Sequence, residues 1–161
     1  MEETNVLTAL RAAFPADVRE TGESFGDPVV TIRPEALPAI AAFLKAEPWS
    51  YAMLLDLTCV DHPDRSERFE MVYHFLSLTA NRRLRLKTDL PAVAPEIGSL
   101  TGLWRNADWL EREVFDMFGV RFSGHPDLRR LLMYDGFEGH PLRKDFPLRN
   151  RQPILPPRER T

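Results

Sequence analysis

Apolar residues recur at helical spacing in two stretches near the start of the chain. The first runs from Thr4 to Phe14, and either Thr4 or Asn5 is placed to cap a helix. The second begins at Pro34, where the missing N–H costs no helical hydrogen bond, and it stops before Pro48. The apolar positions are Val6, Leu7, Leu10 and Phe14 in the first stretch and Leu37, Ile40, Ala41 and Leu44 in the second. Because each set falls on one face, the spacing predicts two amphipathic helices.

Residues 108–118 give the clearest helical pattern in the chain. Asp108 followed by Glu111 predicts a capping box at the start of this helix. Gly119 is the kind of residue that ends a helix in the left-handed conformation. One side of the helix is apolar and consists of Leu110, Val114, Met117 and Phe118. Glu113 is expected on a face that meets solvent or a partner.

Alternating apolar and polar residues predict β-strands at Val29–Ile32 and at residues 51–60, 68–78 and 82–87. In residues 51–60, the side chains expected on one face are Tyr51, Met53, Leu55, Leu57 and Cys59. Residues 68–78 place Phe69, Met71, Tyr73 and Phe75 opposite Glu70, Val72, His74 and Leu76. Residues 82–87 place Leu84 and Leu86 opposite Arg83, Arg85 and Lys87. This period of two, with short polar links between runs, is typical of an antiparallel sheet with one wet face.

The order of elements is helix, strand, helix, three strands and helix, which predicts an α+β fold with helices packed on a mainly antiparallel sheet. A short helical turn is expected from Pro95 to Trp104. Beyond Gly124 there is little periodicity. We therefore expect a core domain over residues 1–124 and an extended C-terminal arm over residues 125–161.

The charge distribution changes at the same point. Residues 1–124 carry 13 basic and 19 acidic side chains, whereas residues 125–161 carry 8 basic and 5 acidic ones and 6 of the 14 prolines. A basic, proline-rich and aperiodic segment buries little of itself and commonly wraps a partner, so a chain ending at Gly124 is expected to stay folded. The alternative is that the arm folds back on its own sheet through Leu131, Leu132, Phe137 and Phe146.

The sequence offers few signs of cofactor binding or of export. The acidic start, Met1 to Glu3, is unlike a secretory signal or a mitochondrial presequence. Cys59 is the single cysteine, so an internal disulfide and a cysteine-based metal or iron–sulfur site built by this chain alone are excluded. Its place on an apolar strand face indicates a core position. A reducing, cytoplasmic compartment is expected, and any membrane attachment would be indirect.

Two groups of residues suggest chemistry, but their spacing is unfavourable. His125 and His140 stand in two Gly-His-Pro phrases with aspartates nearby, yet neither histidine has a second His or Cys at ligand spacing. We interpret them as turn residues whose imidazoles bond backbone groups. Glu111, Glu113 and Asp116 could form an acid–base pair, but Glu111 and Glu113 point to different helix faces and no nucleophile is recognisable. Capping and pairing, with Arg112 bonded to Asp116 or Asp108, are the favoured interpretation.

The basic arm also raises the possibility of an RNA-binding module. The aromatic residues do not match the pattern of such modules, and the acidic body repels phosphate. No nucleic-acid partner is expected. An autonomous enzyme or RNA-binding module remains the second class of hypothesis beside a structural subunit of a larger complex.

One long stretch of sequence resembles a known family. It reads Glu-Arg-Glu at 111–113, an acid at Asp116, two apolar residues, His125, a base at Arg129, and Leu131-Leu132. The phrase from Gly136 to Pro147 fits as well. The pattern is similar, without a mismatch, to the signature of the C subunit of respiratory complex I, the 30-kDa-subunit family.

The resemblance implies a non-catalytic scaffold subunit in the peripheral arm of complex I, the proton-translocating NADH:quinone oxidoreductase, on the cytoplasmic side of the bacterial inner membrane. It implies that FMN, iron–sulfur clusters and quinone are bound by partner subunits, and that this chain packs against the D subunit, close to the B and I subunits. An equivalent scaffold in a related hydrogenase or another complex-I-like reductase is the alternative. The family signature residues are Glu111, Arg112, Glu113, Asp116, His125 and Arg129. The residues expected at the partner interface are Arg129, Arg130, His140, Arg143 and Lys144.

Overall fold

The computed structural model describes residues 5–149. The helices are α1 (Val6–Ala13), α2 (Leu37–Lys45, after a 3-10 turn at Pro34–Ala36) and α3 (Ala107–Phe118). The strands are β1 (Val18–Ser24), β2 (Asp27–Ile32), β3 (Met53–Asp61), β4 (Phe69–Ser77), β5 (Arg82–Leu90), β6 (Glu96–Gly98) and β7 (Arg121–Ser123). The predicted α+β class is confirmed. The part of the predicted arm beyond Arg149 lies outside the described residues.

Five strands form one sheet in the order β1-β2-β5-β4-β3. All neighbours are antiparallel except β2 and β5, which are parallel, and the predicted hairpins between β3, β4 and β5 are present. Strand β1 was not predicted, because its sequence VRETGES contains almost no apolar residue. It is an edge strand that contributes little to the core, so no apolar face had to be encoded.

The helices cover one face of the sheet only. The core joins the apolar sides of the three helices to the inward side chains of β2, β3, β4 and β5, with Phe69, Tyr73 and Phe75 fully buried. Val72 alternates with Tyr73 on β4 and is buried, yet it is not part of that core because it points to the other face. The predicted alternation of β4 and β5 is therefore confirmed.

The predicted face of residues 51–60 is wrong at Met53 and Leu55. A β-bulge between Leu54 and Asp56 inserts one extra residue against β4. Leu54 therefore joins the core, while Met53 and Leu55 are 41% and 39% exposed. A bulge shifts the alternation by one residue, which a strict period of two cannot anticipate.

Two expectations around α3 need correction. The stretch from Pro95 to Trp104 begins with β6 and not with a helical turn, because Ile97 pairs in parallel with Phe122 and is buried; only a turn after Leu100 remains. The predicted capping box is also wrong. The N-cap is Asn106, which makes no side-chain capping bond, and Asp108 lies inside the helix. Gly119 ends the helix at φ 76°, as predicted.

Candidate functional site

Helix α3 is fixed to the edge of the sheet at its start. The Asn106 amide donates to the Leu54 carbonyl at 2.8 Å, and the Trp104 indole N–H donates to the Ala52 carbonyl at 3.1 Å. Both carbonyls belong to the β3 side of the sheet, so these bonds hold α3 beside β3. The helix then presents Val114 to the core and a charged side to the C-terminal residues.

We call residues 125–149 the C-terminal strap, because they run over α3 and the β3–β4 hairpin. Asp116 is the centre of their attachment. Its carboxylate accepts three backbone N–H bonds, from Leu131 at 3.0 Å, Leu132 at 2.7 Å and Met133 at 2.8 Å, and a bond from the Arg130 guanidinium at 2.7 Å. Burial pushes the pKa of Asp116 upward, but these donors outweigh it and lower the pKa below its ordinary value. The side chain is fully buried, so its charge depends on the strap.

Arg112 holds the preceding part of the strap. Its guanidinium donates to the carbonyls of Arg129 at 3.2 Å and Arg130 at 3.4 Å, and it lies 5.2 Å from the centre of the Trp109 ring. The predicted pairing of Arg112 with Asp116 or Asp108 is therefore wrong. Both charged side chains bond the strap and not each other, because residues 129–133 offer carbonyls and N–H groups side by side.

Glu111 and His125 form a second buried pair beside these contacts. Glu111 accepts bonds from the Ser99 hydroxyl at 2.7 Å and the Leu100 N–H at 2.6 Å. Burial raises the pKa of Glu111, although these two donors and His125 act in the opposite direction. The Asp127 N–H donates to His125 Nδ1 at 3.0 Å, which leaves Nε2 to carry the proton and face the Asp108 carbonyl at 3.3 Å. Glu111 thus ties α3 to the β6 segment, and not to its own N-terminus.

The C-terminal end of α3 receives the next part of the strap. His140 Nδ1 lies 2.9 Å from the Asp116 carbonyl, and the Arg143 guanidinium donates to the Phe118 carbonyl at 2.6 Å. These carbonyls belong to the last turn of the helix, which has no helical donors left for them. A Cβ at Gly119 would collide with the side chains of His140 and Arg143, so the glycine permits their close approach. Burial lowers the pKa of His140.

The strap is also anchored to the β3–β4 hairpin, at a residue that the sequence patterns did not suggest. Asp61 is buried and accepts bonds from Arg68 at 2.6 and 2.8 Å and from the Lys144 N–H at 2.7 Å. Arg68 also pairs with Asp145 at 2.8 Å. The hydrogen bond from Arg68 is the main reason that the pKa of Asp61 is lowered. Counting alternate residues from Cys59 puts Asp61 on the core face, and a carboxylate there requires partners.

The residues expected at a partner interface divide into two groups. Arg130, His140 and Arg143 form hydrogen bonds within this chain through their ring or guanidinium nitrogens. Arg129 and Lys144 have exposed side chains, and Arg129 pairs with Asp127 at 2.9 Å on the surface. The contacts of residues 125–149 favour the fold-back alternative for that stretch. The domain boundary at Gly124 and the interface itself stay predictions.

The arrangement is suited to holding structure together. Glu111, Arg112, Asp116 and His125 from the signature all make buried contacts around α3, whereas Glu113 and Arg129 are exposed. Cys59 is buried, as predicted, and burial is the main cause that raises the pKa of its thiol to about 12. Within residues 5–149, no three His, Cys, Asp or Glu side chains are grouped to hold a metal. In the same residues, no helix is long and apolar enough to cross a membrane.

Comparison with known proteins agrees with the signature. The family model described as "Respiratory-chain NADH dehydrogenase, 30 Kd subunit" matches residues 30–152. The C subunit of the NADH-quinone oxidoreductase of Trichlorobacter lovleyi is 46% identical over 150 residues, which is 92% of each chain. The C subunit of the same oxidoreductase from Rhodobacter capsulatus is 51% identical over 136 residues, covering 83% of this chain and 67% of its own length.

Two solved structures share the fold. A trypsin-resistant fragment of Nqo5 superposes with a TM-score of 0.67 at 32% identity, covering 76% of this chain and 96% of the fragment. A chain of an archaeal membrane-bound sulfane sulfur reductase superposes with a TM-score of 0.75 at 22% identity, covering 89% of this chain and 84% of its own. The second likeness shows the fold alone. The match of the family model over most of the chain and the identity to these relatives together show that this chain belongs to the 30-kDa-subunit family of respiratory-chain NADH dehydrogenases.

Proposed function

We propose that this chain is a non-catalytic scaffold subunit in the peripheral arm of a proton-translocating NADH:quinone oxidoreductase, complex I. The observation that carries the proposal is the identity of 46% to the C subunit of such an oxidoreductase over 92% of both chains. The geometry supports it, because the buried charged groups of the signature attach the strap and the β6 segment to α3. A subunit of this kind contributes shape and contact surface, and the complex as a whole transfers electrons from NADH to quinone.

The proposal includes the partners and the location. The chain packs on the D subunit, close to the B and I subunits, and is held on the cytoplasmic side of the bacterial inner membrane through the complex. FMN, the iron–sulfur clusters and quinone reside in the partner subunits. The support is the family membership together with the lone cysteine, which is buried. Arg129 and Lys144 are the proposed interface residues whose side chains are exposed in this chain.

The alternative is an equivalent scaffold in a hydrogenase or another complex-I-like reductase. The likeness to the archaeal sulfane sulfur reductase carries only the fold, since the identity is 22%. The higher identity to the C subunits of NADH-quinone oxidoreductases therefore favours complex I.

Co-purification tests the proposal. The full-length chain, tagged and expressed at its native level, is isolated from its own membranes in mild detergent, and the accompanying proteins are identified by mass spectrometry. The expected result is an assembly containing the D, B and I subunits with NADH:quinone activity. The chain purified alone is expected to show no flavin or iron–sulfur absorption and no stoichiometric metal. Isolation with a hydrogenase, or as a free enzyme carrying its own cofactor, would contradict the proposal.

A further inference from the structure

Within the described residues, the three helices pack on one face of the sheet, and no helix lies on the opposite face. We call this opposite face the outer face. It consists of the side chains that alternate with the core residues along β2, β3, β4 and β5. The registers place Val72 opposite Thr58 and Lys87, and His74 opposite Asp56 and Arg85. None of these residues is in the hydrophobic core.

Half of the outer face is apolar. On β3, Met53 is 41% and Leu55 39% exposed, and Leu78, just after β4, is 61% exposed; Val60 is 39% exposed at the other end of β3, beyond Asp56 and Thr58. Met53 pairs across the strands with Leu76, so these apolar groups adjoin one another. Leu55 reaches this surface because of the β-bulge. Grouped apolar side chains on a protein surface are typical of an interaction site.

The β5 side of the outer face is mainly basic. Strand β5 directs Arg83, Arg85, Lys87 and Asp89 to this side, and Asp56 and Glu70 lie on the same face. Lys87 is neutralised by Glu70 at 2.9 Å, and Arg85 donates to the Ser24 hydroxyl at 3.3 Å. Within residues 5–149, neither Arg83 nor Arg85 forms a salt bridge, although Asp56 lies across His74 from Arg85.

We propose that the outer face is the docking surface for a partner protein that presents carboxylates opposite Arg83 and Arg85 beside an apolar strip that covers Met53 and Leu55. Arginine can bind a carboxylate through two parallel hydrogen bonds, and an apolar strip beside it excludes water from those bonds. This inference rests on the proposed function, since it names the surface through which a scaffold subunit would join its complex.

Two other occupants fit the charge less well. A second copy related by two-fold symmetry would bring the arginines of β5 into the same interface twice, and like charges there are unfavourable. An anionic membrane would attract Arg83 and Arg85 but would be repelled by the excess of acidic residues in the rest of the domain. Within residues 5–149, the outer face also carries no amphipathic helix of the kind by which proteins usually lie in a membrane surface.

Hydroxyl-radical footprinting tests the inference on the full-length chain, free and in the purified complex. The sulfur of Met53 reports the apolar half directly. We expect its oxidation to fall severalfold on assembly, while the fully buried Met71 stays unreactive in both states. If the chain co-purifies with the complex and Met53 oxidises as fast as in the free chain, the inference is overturned and the proposed function stands. If the chain does not co-purify with the complex at all, the proposed function itself fails.

Charge reversal supplies the second arm. The double variant Arg83→Glu with Arg85→Glu should lower the yield of assembled complex at least tenfold while the free chain keeps its melting temperature. The matched control is Arg33→Glu with Arg105→Glu, which makes the same charge change at exposed positions away from the outer face. Equal loss in both would show an effect of net charge and overturn the inference. Two further results would overturn the inference: the free chain forms a concentration-dependent dimer, or it binds phosphatidylglycerol vesicles. In each case the double variant Leu55→Ser with Val60→Ser would abolish that binding while complex assembly is unaffected.

Discussion

The guanidinium of Arg130 lies 2.7 Å from the carboxylate of Asp116, and the two residues come from different parts of the chain, the strap and the last turns of α3. The same carboxylate accepts the backbone N–H groups of Leu131, Leu132 and Met133. One buried side chain therefore determines where the strap crosses the helix. The signature therefore has an acidic residue at position 116 because its carboxylate fixes the strap to α3.

Replacing Asp116 by asparagine should destabilise the protein by about 3 kcal/mol, because Arg130 and three N–H groups lose a charged acceptor in a buried place. Asp127→Asn is the matched control, since Asp127 is exposed and pairs with Arg129 only on the surface. Urea unfolding of both variants measures the difference. Equal stability of the two would mean that Asp116 does not hold the strap.

The phase of α3 can be tested separately. Val114 is 2% exposed, so Val114→Asp should cost about 4 kcal/mol by placing an unpaired charge in the core. Glu113 is exposed one residue earlier, and Glu113→Gln should change the free energy of unfolding by less than about 0.5 kcal/mol. Thermal melts of the two variants measure the difference. Losses of stability of similar size in both would show that the predicted helix phase is wrong.

The anchors of the strap predict an acid transition. The pKa values of Asp61 and Asp116 are lowered from the ordinary value of 3.8, so the stability they contribute is present above that value. It is lost as the pH falls below 3.8 through the folded-state pKa values. Asp61→Asn should lower stability at neutral pH and make the decline below pH 3.8 shallower than in the wild type. An unchanged slope of stability against pH in this range would show that the Asp61 carboxylate is not linked to folding.

Shortening the chain tests the strap as a whole. A chain ending at Arg149 retains every strap contact in the described residues, whereas a chain ending at Gly124 leaves Arg112 and Asp116 without their strap partners and removes the Lys144 N–H from Asp61. We expect the shorter chain to melt at a lower temperature and to aggregate. A cooperative transition at an unchanged temperature would instead support a core domain that ends at Gly124.

The sequence was sufficient for the regular part of the fold. Strand β4 and helix α3 could be predicted because their apolar residues keep the period of the structure they form. The bulge at Leu55 could not be predicted, since nothing in the local sequence pattern distinguishes an inserted residue from an alternating one. Strand β1 was missed because an edge strand needs no apolar face.

The site was predicted only in part for a related reason. The signature named Glu111, Arg112, Asp116 and His125, but local spacing suggested that Glu111, Arg112 and Asp116 bond within the helix. The partners of Glu111, Arg112 and Asp116 lie 11 to 18 residues away along the chain, in the β6 segment and the strap. Asp61 and Asp145 contact the same arginine across 7 and 77 residues, a relationship that only the tertiary structure brings about.

The NADH:quinone activity of membranes lacking this chain tests the central claim most directly. The chain is deleted in its own host, and activity with NADH and a soluble quinone analogue is measured beside the amount of assembled complex. We predict that both are lost in the deletion and that both return with the wild-type chain and with Glu113→Gln. A fully assembled complex with normal activity in the absence of the chain would contradict its role as a scaffold subunit.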